Sequence, residues 1–205
     1  MKSLYDFIVQ PIGETYNNKT KVDGKDLILN NKIESWKFVN RNAKVISTPA
    51  AYKTNIKVGD TIVVHQNIFR KFYNMQGEKK NSRSYFKDNL YFVSLDQIYL
   101  YKNNKKWHTF GNRCFVKPIE NNDVLKHEKI VPNVGILKYT NNSLEARNIA
   151  LNDVIGFKPG ANWEFVVDNE LLYCMKSNDI VIKYEHKGNE EKYNPSWASS
   201  GQRIN

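Results

Sequence analysis

The sequence has little of what marks a secreted, redox-active or membrane-spanning protein. Cysteine occurs only twice in 205 residues, as Cys114 and Cys174, without CxxC spacing. Both lie in apolar, strand-like runs, so we expect buried free thiols in a reducing compartment. No apolar run approaches the roughly 18 residues of a membrane-spanning helix. Charge follows too soon after Met1 for a signal peptide, and we therefore expect a cytoplasmic protein.

Motifs for catalysis and for cofactor binding are also lacking. The sequence has no glycine-rich phosphate loop, no nucleophile elbow and no paired carboxylates. The four histidines do not have the spacing of metal ligands; they are His65, His108, His127 and His186. We therefore expect neither enzymatic activity nor a cofactor.

The composition is that of a folded, basic protein. Apolar residues make up 40% and aromatic residues 13%, which is typical of a globular chain. The net charge of +10 is uneven, with 17 basic and 9 acidic residues through Lys102 against 14 and 12 in the remainder. Such a surface can attract nucleic acid or an acidic protein, or can serve solubility alone.

The pattern of apolar residues indicates strands rather than helices. Ile62 and Val64 alternate with their neighbours, as do Ile98 and Leu100, while helical periodicity is scarce. Many short strands separated by polar turns predict an all-β fold, either a sandwich or a barrel.

Three segments of the first half recur in the second half in the same order. A repeat of this length predicts two small domains rather than a solenoid. The matching pairs are 7–12 with 114–119, 56–64 with 149–157, and 88–92 with 168–173.

The repeat and the length predict two domains of about 100 residues each. We place the first at 1–102 and the second at 103–187, followed by a polar tail at 188–205. The polar run 102–106 is interpreted as a short linker. Two long segments of the first half, at about 13–35 and 66–85, have no strand pattern, and such segments are often functional.

Each half resembles the domain of the GroES co-chaperonins, the small partners of barrel chaperonins. The first half has the family's turn motif as Ile-Lys-Val-Gly-Asp at 56–60, and the second half has its closing motif at 168–180. The resemblance covers about 5–101 and 110–185. It implies two tandem GroES-like irregular β-barrels.

The family's mobile loop carries its function, and the resemblance places this loop around Gly24 and the triplet Leu27, Ile28 and Leu29. Three adjacent apolar side chains in a polar stretch would bind in a groove of a chaperonin in its nucleotide-bound state. The chain would thereby help to cap a folding chamber for an unfolded client protein, without catalysis of its own. The alternative is an ordinary strand whose triplet packs on its own barrel.

The second half departs from the family in this loop. Its candidate residues, Ile130 and Val131, lack the Gly-Gly pair, and the loop is short. They are either a weak second contact with the chaperonin or core residues. The segment between the following strand and the turn motif is also reduced in both halves, which resembles phage-encoded co-chaperonins. The family further implies a homo-oligomeric ring.

A second hypothesis is single-stranded nucleic-acid binding, or a structural role, by a module derived from the same fold. Aromatic side chains interleaved with cations supply stacking faces and neutralise phosphates. The alternative is an extended hairpin whose aromatics pack on the barrel while its charges face water. The candidate residues are Arg70, Lys71, Phe72, Lys79, Lys80 and Arg83.

Overall fold

The computed structural model describes residues 2–16, 19–22, 25–28, 39–121 and 130–187. The chain divides into two compact units, Met1–Trp107 and His108–Asn205. In the first part of the chain the described residues form ten strands: β1 (Phe7–Pro11), β2 (Lys19–Val22), β3 (Lys25–Ile28), β4 (Asn42–Ser47), β5 (Thr61–Val64), β6 (Lys71–Tyr73), β7 (Lys79–Asn81), β8 (Tyr91–Val93), β9 (Ile98–Asn103) and β10 (Lys106–Thr109).

In the second part of the chain the described residues form six strands and one short α-helix. They are β11 (Arg113–Glu120), β12 (Ile130–Tyr139), α1 (Asn142–Glu145), β13 (Asp153–Phe157), β14 (Trp163–Val167), β15 (Glu170–Lys176) and β16 (Ile180–Lys187). The all-β class predicted from the sequence is therefore confirmed.

Two six-stranded sheets carry the fold, and five strands follow the same order in both. The first sheet runs β10-β9-β5-β4-β1-β8, and the second runs β16-β13-β12-β11-β15-β14. Val9 lies opposite Tyr91 in the first sheet, and Val116 lies opposite Tyr173 in the second. The sequence repeat therefore reports a repeated strand topology. Within the described residues each sheet ends in edge strands, so the closure of each unit into a barrel remains a prediction.

The turn before β5 and the turn before β13 are built alike. The Asp60 carboxylate accepts a hydrogen bond of 2.8 Å from the backbone N–H of Lys57. In the second unit the Asp153 carboxylate accepts one of 2.8 Å from the N–H of Ala150. A short acidic side chain that binds its own backbone fixes a tight turn, which explains why this part of the repeat is so visible in the sequence.

Asparagine, abundant in the sequence, has a structural use here. Nine of the described residues other than glycine adopt a positive φ, a conformation that asparagine tolerates better than most residues. Six of the nine are asparagines: Asn89, Asn104, Asn133, Asn148, Asn152 and Asn169.

The interpretation of 102–106 as a linker is wrong. Asn104 and Lys105 have φ values of 48° and 64° and form the two-residue turn between β9 and β10. Positive φ at both central positions suits the twist of a tight hairpin. The sequence signal was ambiguous because polar turns and polar linkers share a composition.

Most of the buried side chains come from the central strands, and β13 is buried at all five of its positions. In the first unit Phe7, Val9, Val45, Ile62 and Leu100 are fully buried. In the second unit the main cluster is Cys114, Val116, Leu137, Leu144, Ile155, Phe157, Tyr173, Met175 and Ile180.

Both cysteines are buried free thiols, as predicted. Burial raises the pKa of the Cys114 thiol, which disfavours the reactive thiolate.

Candidate functional site

The long segment between β1 and β4 is closed at its base by a second set of backbone contacts. The N–H of Ile12 donates to the carbonyl of Asn42, and the N–H of Asn40 donates to the carbonyl of Thr15, each at 2.9 Å. Tyr16 and Val39 then form an antiparallel bridge. The backbone pairing of β1 with β4 therefore continues into the segment. This pairing fixes the point at which the segment leaves the sheet.

Asn40 holds this base together. Its side-chain amide donates to the carbonyls of Ile12, at 2.7 Å, and Glu14, at 2.9 Å. Its side-chain oxygen accepts from the N–H of Asn42 at 2.9 Å. The residue is only 3% exposed, so its hydrogen bonds are shielded from water and replace those that the chain would otherwise make to solvent.

We expect Asn40→Ala to lower the free energy of unfolding by about 2–4 kcal/mol, because three hydrogen bonds at a buried site are lost. Urea unfolding followed by circular dichroism measures this change. Asn55→Ala is the matched control, since Asn55 is exposed, and it should change stability by less than about 0.5 kcal/mol. Equal effects of the two substitutions on stability would show that Asn40 does not hold the base of the segment together.

The segment contains a hairpin, although 13–35 shows no strand pattern in the sequence. β2 and β3 pair with each other in a separate two-stranded sheet, with Thr20 opposite Leu27 and Lys19 opposite Ile28. The sequence did contain a signal, because Asp-Gly at 23–24 is a common hairpin turn. We call this β2–β3 hairpin the arm.

Two of the four predicted chaperonin-binding residues, Leu27 and Ile28, lie in β3. Gly24 and Leu29 are outside the described residues.

An aromatic junction connects the base of the arm to the strand β6. The hydroxyl oxygen of Tyr16 accepts a 2.8 Å hydrogen bond from the backbone N–H of Lys71. Tyr91 packs edge-on against Phe69, with ring centroids 4.8 Å apart, and against Tyr85, at 5.4 Å. Burial, followed by the nearby Tyr85 and Tyr16, raises the pKa of Tyr91. Tyr91 therefore stays neutral at physiological pH, and these contacts tie the two segments to one core.

The second predicted segment, 66–85, also contains a hairpin, which we call the basic hairpin. β6 and β7 pair so that Phe72 lies opposite Lys80 and Tyr73 lies opposite Lys79. Phe69 is fully buried, whereas Phe72 is 39% exposed and Tyr73 is 53% exposed. The extended hairpin that the sequence analysis gave as the alternative to a nucleic-acid site is therefore present. Two of its aromatic side chains are, however, largely exposed to water.

The six candidate nucleic-acid residues all lie on or beside the basic hairpin. Lys79, Lys80 and Arg83 are exposed, while Arg70 and Lys71 are partly buried. Lys80 forms an ion pair with Glu78 at 2.8 Å. The structure therefore brings Phe72 and the five cations into one part of the first unit.

The candidate residues of the second unit occupy a different setting. Ile130 begins β12 and lies opposite Glu120. Val131 is partly buried and packs against a cluster formed by Ile119, Val134, Ile136 and Val154. Only nine residues, 121–129, separate β11 from β12, against 30 residues, 12–41, between β1 and β4.

Within the described ranges, no group of three or more His, Cys, Asp or Glu side chains could hold a metal ion. No helix in the described part of the chain is long and apolar enough to cross a membrane. Sequence reasoning missed Tyr16 and Asn40, because a lone tyrosine and a lone asparagine carry no local motif.

A scan against protein-family models finds no model that matches the chain, and a search of the curated proteins finds no match either.

Proposed function

We propose that the chain is a co-chaperonin whose arm binds a barrel chaperonin in its nucleotide-bound state. The observation that supports this most is the combination of a fixed base with an arm whose two strands, among the described residues, form a sheet of their own. The base is held by Asn40 and Tyr16, while β2 and β3 form their own two-stranded sheet. An element of this kind can bind a partner without disturbing the main sheet.

The shared strand order supports the finer fold proposal, two GroES-like barrels in tandem. In both units the insertion that corresponds to the family's mobile loop joins the same two neighbouring strands, β1 to β4 and β11 to β12. The position of the arm between β1 and β4 supports its assignment to the mobile loop.

The energetics favour an arm that works in several copies. Burying Leu27 and Ile28 against a partner contributes about 1.5–3 kcal/mol each. Ordering the backbone costs about 1–2 kcal/mol for each residue fixed. One arm therefore binds weakly, and several arms on one ring bind together through their high effective concentration.

Assembly into a homo-oligomeric ring is part of the proposal. Three apolar side chains on β14 and β15 are left exposed: Trp163 by 58%, Val166 by 64% and Leu171 by 37%. Val166 and Leu171 lie directly opposite each other. An apolar pair beside an edge strand is a typical association surface. Because the insertion in the second unit is short, each chain would contribute one arm. The cytoplasm is the expected compartment.

We expect Ile28→Asp to abolish binding to a GroEL-type chaperonin in the presence of ATP, because a carboxylate cannot be buried in an apolar groove without a large penalty. Pull-down on immobilised chaperonin, with size-exclusion chromatography of the free variant, measures binding and fold separately.

Val58→Asp is the matched control, since Val58 is 63% exposed in the turn before β5 and should retain binding. Failure of the unsubstituted chain to bind any barrel chaperonin would refute the proposed function. Retention of binding by Ile28→Asp would refute the assignment of the arm.

A further inference from the structure

We propose that the basic hairpin is a binding site for single-stranded nucleic acid. This site is separate from the arm and does not depend on the proposed co-chaperonin function. It rests on three observations: a local concentration of positive charge, exposed aromatic side chains placed beside lysines, and a rigid attachment to the core of the first unit.

The positive charge of the chain is concentrated in this hairpin and its flanks. Residues 66–87 contain six basic side chains and one acidic side chain, so about a tenth of the chain carries a net +5 of the total +10. The acidic residue, Glu78, is paired with Lys80. Among the described residues neither Lys71 nor Lys79 has an ion pair, so both are available to phosphates.

Each face of the hairpin combines an aromatic ring with a lysine. Side chains that are directly opposite in an antiparallel pair share a face. Tyr73 therefore shares one face with Lys79, and Phe72 shares the other with Lys80. Lys71 lies two residues before Tyr73, and so on the same face. A strand of three residues extends for about 10 Å, enough to contact a few nucleotides.

The hairpin is held in shape at both ends. At its tip, the side-chain oxygen of Asn74 accepts from the backbone N–H groups of Gln76, at 3.1 Å, and Glu78, at 2.8 Å. At its base, Ile68 and Phe69 are fully buried. Stacking platforms depend on such fixed positions, because a ring that is already ordered loses less entropy on binding.

The aromatic rings favour nucleic acid over an acidic protein as the partner. Phosphate and carboxylate groups would both be attracted by Lys71 and Lys79, but every base presents a flat face that stacks on an exposed ring. Tyr73 is 53% exposed and lies between these two lysines on its face. Because stacking does not read base identity, we expect little sequence preference.

The test measures fluorescence anisotropy of a labelled oligothymidine of about 20 nucleotides, between about 50 and 200 mM salt. Three outcomes are expected of the full chain and its variants. The unsubstituted chain binds with a steep dependence on salt. Tyr73→Ala weakens binding about tenfold, whereas Tyr73→Phe, which keeps the stacking face, does not. The double variant Lys71→Gln, Lys79→Gln makes the negative slope of log K against log salt shallower by about 1.4.

Lys53→Gln with Lys57→Gln is the charge-matched control, since both lysines are exposed and lie outside the hairpin. It should leave the affinity within about twofold. Polyglutamate serves as the competitor that separates nucleic acid from an acidic protein. Three results would each overturn the proposal. The first is that the unsubstituted chain does not bind, and the second is that the control and hairpin variants lose equal affinity. The third is that polyglutamate competes completely while Tyr73→Ala has no effect.

Discussion

Replacing Gly135 with alanine is expected to destabilise the second unit by about 3 kcal/mol or more, through overpacking. A Cβ at this position would lie 2.4 Å from a side-chain methyl of Val116 and 2.6 Å from the backbone carbonyl oxygen of Lys117. Val116 is fully buried, and the carbonyl belongs to the neighbouring strand β11. Neither neighbour can move without disturbing the pairing of β11 with β12.

The first unit supplies the matched comparison for Gly135. The equivalent residue is Ala43, which lies opposite Pro11 as Gly135 lies opposite Pro118. Ala43 is fully buried, so a methyl group fits there, and Ala43→Gly should cost only about 1 kcal/mol. Differential scanning calorimetry of both variants measures the contrast. A melting curve of Gly135→Ala identical to that of the parent would contradict the packing of β12 on β11.

Removing the Asp153 carboxylate is expected to cost about 3 kcal/mol, against about 1 kcal/mol for Asp60. Both side chains accept the same turn hydrogen bond. Asp153, however, is fully buried and forms an ion pair with Lys183 at 2.8 Å. Hydrogen bonds to charged partners contribute more than neutral ones, and more where water is excluded. Asp60 is partly exposed at the same place in the first unit.

Urea unfolding of Asp153→Ala and Asp60→Ala measures this difference directly. Asp153→Asn keeps the shape of the side chain and removes the charge, so it isolates the contribution of the ion pair with Lys183. If the two alanine variants lose equal stability, the burial of Asp153 has no energetic consequence and the expectation is wrong.

The two halves show which structural features can be predicted from local sequence patterns. Alternation of Ile62 with Val64 predicted a strand, and the motif at 56–60 predicted a turn, because side-chain direction and backbone φ are set by neighbouring residues. Neither the arm nor the basic hairpin shows a strand pattern in the sequence, because their polar residues hide the alternation. Asp-Gly at 23–24 was the signal that was available for the arm.

The candidate sites were predicted unevenly. The cations and aromatics of the basic hairpin could be found from the sequence, because they are close together along the chain. Their arrangement on two faces required the pairing of Phe72 with Lys80 and of Tyr73 with Lys79. The connection between Tyr16 and Lys71 joins residues 55 positions apart, and no local pattern reports such a contact.

The sequence alone determined that this protein is built of strands, that its two halves correspond, and that positive charge and aromatic residues are concentrated at 66–87. These properties depend on the order of residues along the chain. The tertiary structure decided that β2 and β3 pair with each other, that Asn40 closes the base of the arm, and that Asp153 is buried while Asp60 is not. Those properties depend on contacts between distant segments, which form only when the whole sheet has assembled.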